Sequence, residues 1–166
     1  MLASRLPARN ATREQQRAEQ LGALFPSKPA VVRERFAAVP LFSGCSKREL
    51  RLLTKSAEIE PRATGATLMT EGETGNCAFV IIQGRCRVLR NGRRVAQVEA
   101  GSVVGELSML NRGPRNATVV ADAPLEIAVI RRGDFLALLE SSPSISRKLL
   151  QALAARVQEL DARAPA

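Results

Sequence analysis

The middle of the chain, residues 57–130, is divided by glycines into short runs rich in β-branched and other apolar residues. The spacing of the glycines is close to the ~8–12 residues between successive turns in small β-barrels and sandwiches. Asn91-Gly92 adds a strong signal for a tight hairpin, because both residues tolerate the positive φ angles of a type I′ turn. The pattern predicts an antiparallel β-roll. The glycines are Gly65, Gly72, Gly75, Gly84, Gly92 and Gly101.

Helical patterns flank this segment on both sides. Val32, Phe36 and Val39 recur at helical spacing before Pro40, and Ser46 is a suitable N-cap for a second helix. A third apolar helical pattern surrounds Phe135, and the last helix is expected to start near Pro143, since proline suits the first helical position. We therefore expect a mainly β fold with two N-terminal and two C-terminal helices. Thr12 and Gln15 also resemble a capping box for a marginal earlier helix.

Composition narrows the classes of function. The chain has 166 residues, enough for one domain with short appendages, and contains no histidine, which is the commonest metal ligand and neutral-pH general base. Its three cysteines lack C-x-x-C spacing and are interpreted as structural. We therefore expect no enzyme, no metal site and no bound cofactor. The cysteines are Cys45, Cys77 and Cys86.

Charge and hydropathy bear on partners and location. The net charge of +9 is spread along the chain without one compact basic block, and tryptophan and tyrosine, which stack on nucleic-acid bases, are absent. No stretch approaches the ~18–20 apolar residues that cross a bilayer. We expect a cytoplasmic protein with no membrane span, for which DNA binding is not expected.

Residues 105–118, Gly-Glu-Leu-Ser-Met-Leu-Asn-Arg-Gly-Pro-Arg-Asn-Ala-Thr, carry the chemistry. They lie between two predicted strands and begin as a helical turn, whose free N–H groups near Leu107 and Ser108 can bind an anion that Gly105 lets approach. Arg115 offers a planar charged fork for phosphate oxygens. Glu106 suits a hydroxyl donor instead. An anion beside a free ribose 2′-OH indicates a cyclic ribonucleotide.

This segment resembles the phosphate-binding cassette of cyclic-nucleotide-binding domains, which occur in bacterial catabolite-activator proteins, kinase regulatory subunits and gated channels. The resemblance extends over about residues 31–160. It implies an eight-stranded β-roll and a ligand that is cAMP more readily than cGMP. It also implies that Glu106 accepts from the ribose 2′-OH and Arg115 pairs with the phosphate, with contacts from Gly105, Leu107, Ser108 and Asn116.

The same resemblance implies a base pocket covered by the last helix. Arg156 could stack on the purine in place of the missing aromatic rings. Two departures from the family pattern, Val104 and Asn116, leave the base preference open. The expected pocket and lid residues are Val88, Val104, Leu153, Arg156 and Val157.

These expectations define a sensor module with a basic, weakly ordered arm at residues 1–29, a nucleotide-binding domain at 30–162 and a tail at 163–166. Its partners would be the cyclic nucleotide, an unidentified effector protein and a second copy bound through the last helix. Two alternatives remain. Glu106 and Arg115 could form a structural ion pair in a ligand-free interaction domain, or the chain could be a truncated catabolite-activator-like transcription regulator.

Overall fold

The computed structural model describes residues 27–164 together with Arg13 and Gln16. The predicted capping box at Thr12 and Gln15 lies outside these residues. The helices are α1 (Pro29–Ala38), α2 (Lys47–Lys55), α3 (Glu106–Leu110), α4 (Arg132–Ser141) and α5 (Pro143–Arg163), with a 3-10 turn at Pro40–Phe42. The strands are β1 (Ala57–Arg62), β2 (Thr67–Met69), β3 (Cys77–Gln83), β4 (Arg85–Arg90), β5 (Arg93–Glu99), β6 (Val103–Val104), β7 (Thr118–Ala121) and β8 (Leu125–Arg131).

The eight strands form two four-stranded antiparallel sheets, ordered β1-β8-β3-β6 and β2-β7-β4-β5. Each sheet joins strands that are distant in sequence, as in a β-roll. The predicted mainly β fold with flanking helices and a short cassette helix is confirmed.

The hairpin turn and the helix cap that the sequence predicted are both present in the structure. Asn91 and Gly92 have φ angles of 50° and 73°, as a type I′ hairpin turn requires. Ser46 caps α2 by accepting from the Glu49 N–H at 3.2 Å, and the Glu49 carboxylate accepts from the Ser46 N–H at 2.7 Å. This reciprocal capping box satisfies two donors at the helix start.

Two buried clusters share the interior. One lies between the sheet of β3 and β8 and the helices, and it includes Phe36 stacked on Phe42 with ring centroids 5.9 Å apart. The other lies between the two sheets and includes Phe79, Val104 and Ile127. Successive side chains of β3 and β8 point to opposite faces of the sheet, so both strands contribute side chains to both clusters. The two strands therefore hold the helices and the cassette in fixed positions relative to each other.

The apolar stripe of α5 is divided between two environments. Ile145 and Leu149 are buried, whereas Leu150, Val157 and Leu160 are 67%, 56% and 60% exposed. Pairing of two copies through this stripe stays a prediction. Among the helices of the described residues, none combines the length and hydrophobicity that crossing a bilayer requires.

Candidate ligand-binding site

The cassette connects β6 to β7 and starts at a left-handed turn. Gly105 has φ +80° and precedes α3, whose first residue is Glu106. The Met109 N–H donates to the Gly105 carbonyl at 3.3 Å, and the Asn111 N–H donates to the Leu107 carbonyl at 2.9 Å. The glycine is needed here because φ +80° is strained for any residue with a Cβ.

The backbone of Arg115 is fixed by the loop between β2 and β3. Its N–H donates to the Glu73 carbonyl and its carbonyl accepts from the Gly72 N–H, both at 2.8 Å. Thr74 also forms an isolated β-bridge with Pro114. These contacts hold the second half of the cassette against the loop, so the direction in which the Arg115 side chain leaves the backbone is set by tertiary structure.

The side chain of Arg115 is enclosed by neutral groups. Arg115 is only 6% exposed; its Nη1 donates to the Gly105 carbonyl at 3.1 Å, and its Nη2 lies 3.6 Å from Cys77 Sγ. Its guanidinium carbon is 5.8 Å from the centre of the Phe79 ring. A Cβ at Gly75 would collide with the guanidinium. We call these four neighbours, Gly75, Cys77, Phe79 and Gly105, the Arg115 cradle.

No carboxylate of the described residues lies within 4.0 Å of the Arg115 guanidinium. A buried charge is costly unless it is paired, because its hydration is lost and neutral dipoles replace it only in part. The cradle therefore holds a positive charge whose favourable partner is an anion from outside the described residues.

Glu106 has a different partner from the one that the ion-pair alternative predicts. Its Oε1 accepts from Arg156 Nη1 of α5 at 3.2 Å, and no ion pair within 4.0 Å joins it to Arg115. The Glu106 side chain is 13% exposed, whereas that of Arg156 is 59% exposed. Glu106 Oε2 has no hydrogen-bond partner among the described residues, so one carboxylate oxygen remains available to a donor.

The other predicted ligand contacts fall into two groups. Ser108 is buried in α3, while Leu107 is 49% exposed and Asn116 is exposed. Val104 is buried opposite Phe79 in the β3–β6 pairing. Val88 and Leu153 are half-buried, whereas Val157 is exposed.

A cleft of about 640 Å³ separates α5 from the roll and reaches Glu106. Val98, Val103, Leu153 and Arg156 are among its lining residues, whereas Arg115 is not. Its volume lies in the range of roughly 300–1,000 Å³ that is usual for small-molecule sites. The structure thus brings the predicted lid residues Leu153 and Arg156 to Glu106 and keeps the Arg115 cradle outside this cleft.

Of the four residues in the Arg115 cradle, only Gly105 had a predicted role in the site. Cys77 was interpreted as a structural cysteine, and no role in a site was predicted for Gly75 or Phe79. Alternation along β3 is the signal that could have found Cys77 and Phe79, because they are two residues apart and so share a face.

The other two cysteines are not activated nucleophiles, because the pKa of each thiol is raised. Burial raises the pKa of the Cys86 thiol to about 11. Burial, and after it the charge of Glu49, raises the pKa of the Cys45 thiol.

The comparisons with known proteins agree with this geometry. Residues 61–142 match the family model described as "Cyclic nucleotide-binding domain". A cyclic nucleotide-binding domain from Methylobacillus flagellatus is 32% identical with a TM-score of 0.66, and the match covers 78% of each chain. The chain belongs to the cyclic nucleotide-binding domain family.

Two further relatives show the range of proteins in which this domain occurs. The N-terminal domain of a transcriptional regulator from Streptomyces coelicolor is 29% identical with a TM-score of 0.71, covering 84% of this chain and 98% of that domain. The cyclic AMP receptor protein of Thermus thermophilus is 29% identical over an alignment of 127 residues, and the match covers 74% of this chain. This chain spans 59% of the length of that receptor.

Proposed function

We propose that the chain is a sensor module that binds a 3′,5′-cyclic nucleotide, with cAMP preferred over cGMP, and relays binding to a separate effector through α5. The observation that carries the proposal is the Arg115 cradle. It presents a permanently charged guanidinium, 6% exposed, to neutral neighbours only among the described residues. The monoanionic phosphodiester of a cyclic nucleotide supplies the missing charge and accepts charge-assisted hydrogen bonds.

The second part of the proposal concerns the ribose. Glu106 stands nine residues before Arg115 on the same cassette, and its Oε2 is available to a hydroxyl donor. A 2′-OH donating to this oxygen would leave the Arg156 contact at Oε1 intact. Glu106 would then select ribonucleotides over their 2′-deoxy analogues.

Two other observations support the preference for cAMP and the relay. The Thermus relative is a cyclic AMP receptor protein, and its match includes most of this chain. The ion pair between Glu106 and Arg156 joins the cassette to α5, so a ligand at Glu106 changes the electrostatic surroundings of that helix. We propose that α5 moves against the roll when the nucleotide binds.

Calorimetric titration with cAMP and cGMP tests the proposal on the wild type, Arg115→Ala and Arg112→Ala. Arg112 is a matched control because it is an exposed arginine of the same cassette. Loss of Arg115 leaves the phosphate charge unpaired, which costs ~2–5 kcal/mol in comparable buried pairs and corresponds to roughly 30- to 4,000-fold in Kd. The Arg112→Ala protein should bind within about threefold of the wild type, as an exposed charge contributes little.

Titration with 2′-deoxy-cAMP tests the ribose contact. The wild type should bind it less tightly than cAMP, and Glu106→Ala should bind the two alike, since the discriminating hydrogen bond contributes about 1–2 kcal/mol. A wild type that binds neither cAMP nor cGMP at millimolar concentration would overturn the sensor proposal and favour the ligand-free interaction domain.

A further inference from the structure

Arg132, the first residue of α4, contacts two segments next to the Arg115 cradle, the helix α3 and the residue before β3. Its side chain reaches the cassette, where Nη1 donates to the Met109 carbonyl of α3. Its backbone N–H donates at 2.7 Å to the carbonyl of Asn76, the residue before β3. Cys77 follows Asn76 and contacts Arg115, so one residue holds the cassette helix and the strand that carries the cradle.

The Met109 carbonyl lies in the last turn of a five-residue helix, where carbonyls have no intrahelical partner. Met109 is fully buried, so water does not satisfy this carbonyl easily. A cationic side chain is a favourable partner at a helix C-terminus. Arg132 supplies it from a different element, and this places the end of α3 relative to α4.

The hydrogen bonding of Arg132 is incomplete. Its Nε is buried and has no acceptor among the described residues. An unsatisfied buried donor is destabilising, so this conformation of the Arg132 side chain does not give the arginine its best hydrogen bonding. The conformation does bring Nη1 to the Met109 carbonyl.

We propose that Arg132 is a positioning residue for the candidate site: it braces α3 against β3 and so sets the geometry in which Arg115 and Glu106 face the ligand. This inference deepens the proposed function and depends on it only for the binding measurement.

The test compares Arg132→Ala and Arg132→Lys with Arg131→Ala. Each variant keeps the backbone hydrogen bond to Asn76. Lysine keeps a cationic donor for the Met109 carbonyl and removes the unsatisfied Nε. Arg131 is an exposed neighbour whose Nη2 lies 3.4 Å from Glu58 at the surface, which makes it the matched control.

Two measurements are made on the full chain: hydrogen exchange of the Met109 and Asn111 amides by NMR without ligand, and the Kd for cAMP by calorimetry. Arg132→Ala should raise both the α3 exchange rates and the Kd roughly tenfold, as expected for loss of a charged hydrogen bond, while β3 and β8 amides keep their protection. Arg132→Lys should restore both values to within about threefold of the wild type, and Arg131→Ala should change neither.

Unchanged α3 exchange in Arg132→Ala, or a lysine variant as impaired as the alanine variant, would overturn the inference. If Arg132→Ala does not fold, the lysine variant still tests the role of the Met109 contact. A wild type that binds no cyclic nucleotide while α3 exchange responds as expected would reject the proposed function and leave the bracing role of Arg132 standing.

Discussion

Different contacts hold the two ends of α5 to the rest of the chain; the first end is the N-terminal part of the helix and the second end is the C-terminal part. At the first end, Ile145 and Leu149 are buried, and the Glu49 carboxylate accepts from Ser144 Oγ at 2.5 Å and from Lys148 Nζ at 2.6 Å. At the second end, the contact with the cassette is the 3.2 Å ion pair between Arg156 and Glu106. The first end is anchored in the core, and the second is attached at the surface.

The energetic difference between these contacts shows which part of α5 can move. The hydrogen bonds from Lys148, Ser144 and the Ser46 N–H lower the pKa of Glu49 from 4.5 to about 2. By contrast, an ion pair with an exposed partner such as Arg156 contributes only ~0.2–1 kcal/mol. We therefore expect the second end of α5, which contacts the candidate site through Arg156, to move at lower cost than the first end.

The largest expected effect comes from removing Glu49, the residue that anchors the first end of α5. Glu49→Ala deprives Lys148, Ser144 and the α2 cap of a common acceptor and should lower the free energy of unfolding at pH 7 by about 3 kcal/mol. Urea denaturation measures this, with Glu140→Ala as the control because Glu140 is exposed on α4. Equal destabilisation by the two variants would mean that Glu49 is no anchor.

The same anchor predicts how stability depends on pH. A carboxylate whose folded pKa is lowered stabilises the fold above its unfolded pKa, and the contribution is lost as pH falls through the folded value. With pKa values of 4.5 unfolded and about 2 folded, Glu49 should account for about 2 kcal/mol of the stability lost between pH 7 and pH 3. The free energy of unfolding of Glu49→Gln, measured over the same pH range, should not show this part of the loss. An identical pH profile in the variant would contradict the prediction.

The anchor also illustrates what the sequence could predict. Ser46 as an N-cap and Asn91-Gly92 as a turn were predicted because each depends on residues only a few positions away. The helices and the β-roll were predicted from periodicity and glycine spacing for the same reason. Such patterns could not predict the contacts that depend on how the strands and helices pack in three dimensions. Lys148 and Glu49 are 99 residues apart, and Cys77 and Arg115 are 38 apart.

The candidate site shows the same limit. Glu106 and Arg115 were named from the cassette motif, but the motif does not say what their partners are. The sequence left open whether they pair with each other, and the structure gives each a different neighbour. Arg156 lies against Glu106, a contact that the sequence did not suggest, and its stacking on a purine stays a prediction. Both findings depend on the packing of α5 against the roll.

Removing the second end of α5 should separate ligand binding from stability. A chain truncated after Leu150 keeps Ile145, Leu149 and the Glu49 contacts, so its unfolding free energy should fall by only about 1 kcal/mol, the contribution of the half-buried Leu153 that packs on the core. It loses Leu153 and Arg156 from the cleft beside Glu106, and we expect a roughly tenfold weaker Kd for cAMP, equivalent to about 1.4 kcal/mol. Calorimetry and urea denaturation on one preparation measure the two quantities. An unchanged Kd would show that this end does not cover the ligand.

The smallest expected effect isolates the ion pair. Arg156→Gln removes the charge that holds Glu106 Oε1 while Oε2 stays available to the ribose, so the Kd for cAMP should rise at most about fivefold, in line with a surface pair. The effect should shrink as salt is raised, since exposed charges are screened over a Debye length of about 8–10 Å. A double-mutant cycle with Glu106→Gln, measured by calorimetry at low and high salt, gives the coupling energy of the pair directly. If Arg156→Gln instead tightened cAMP binding, Arg156 would be competing with the ligand for Glu106, and the second end of α5 would act as an inhibitory contact that the nucleotide displaces.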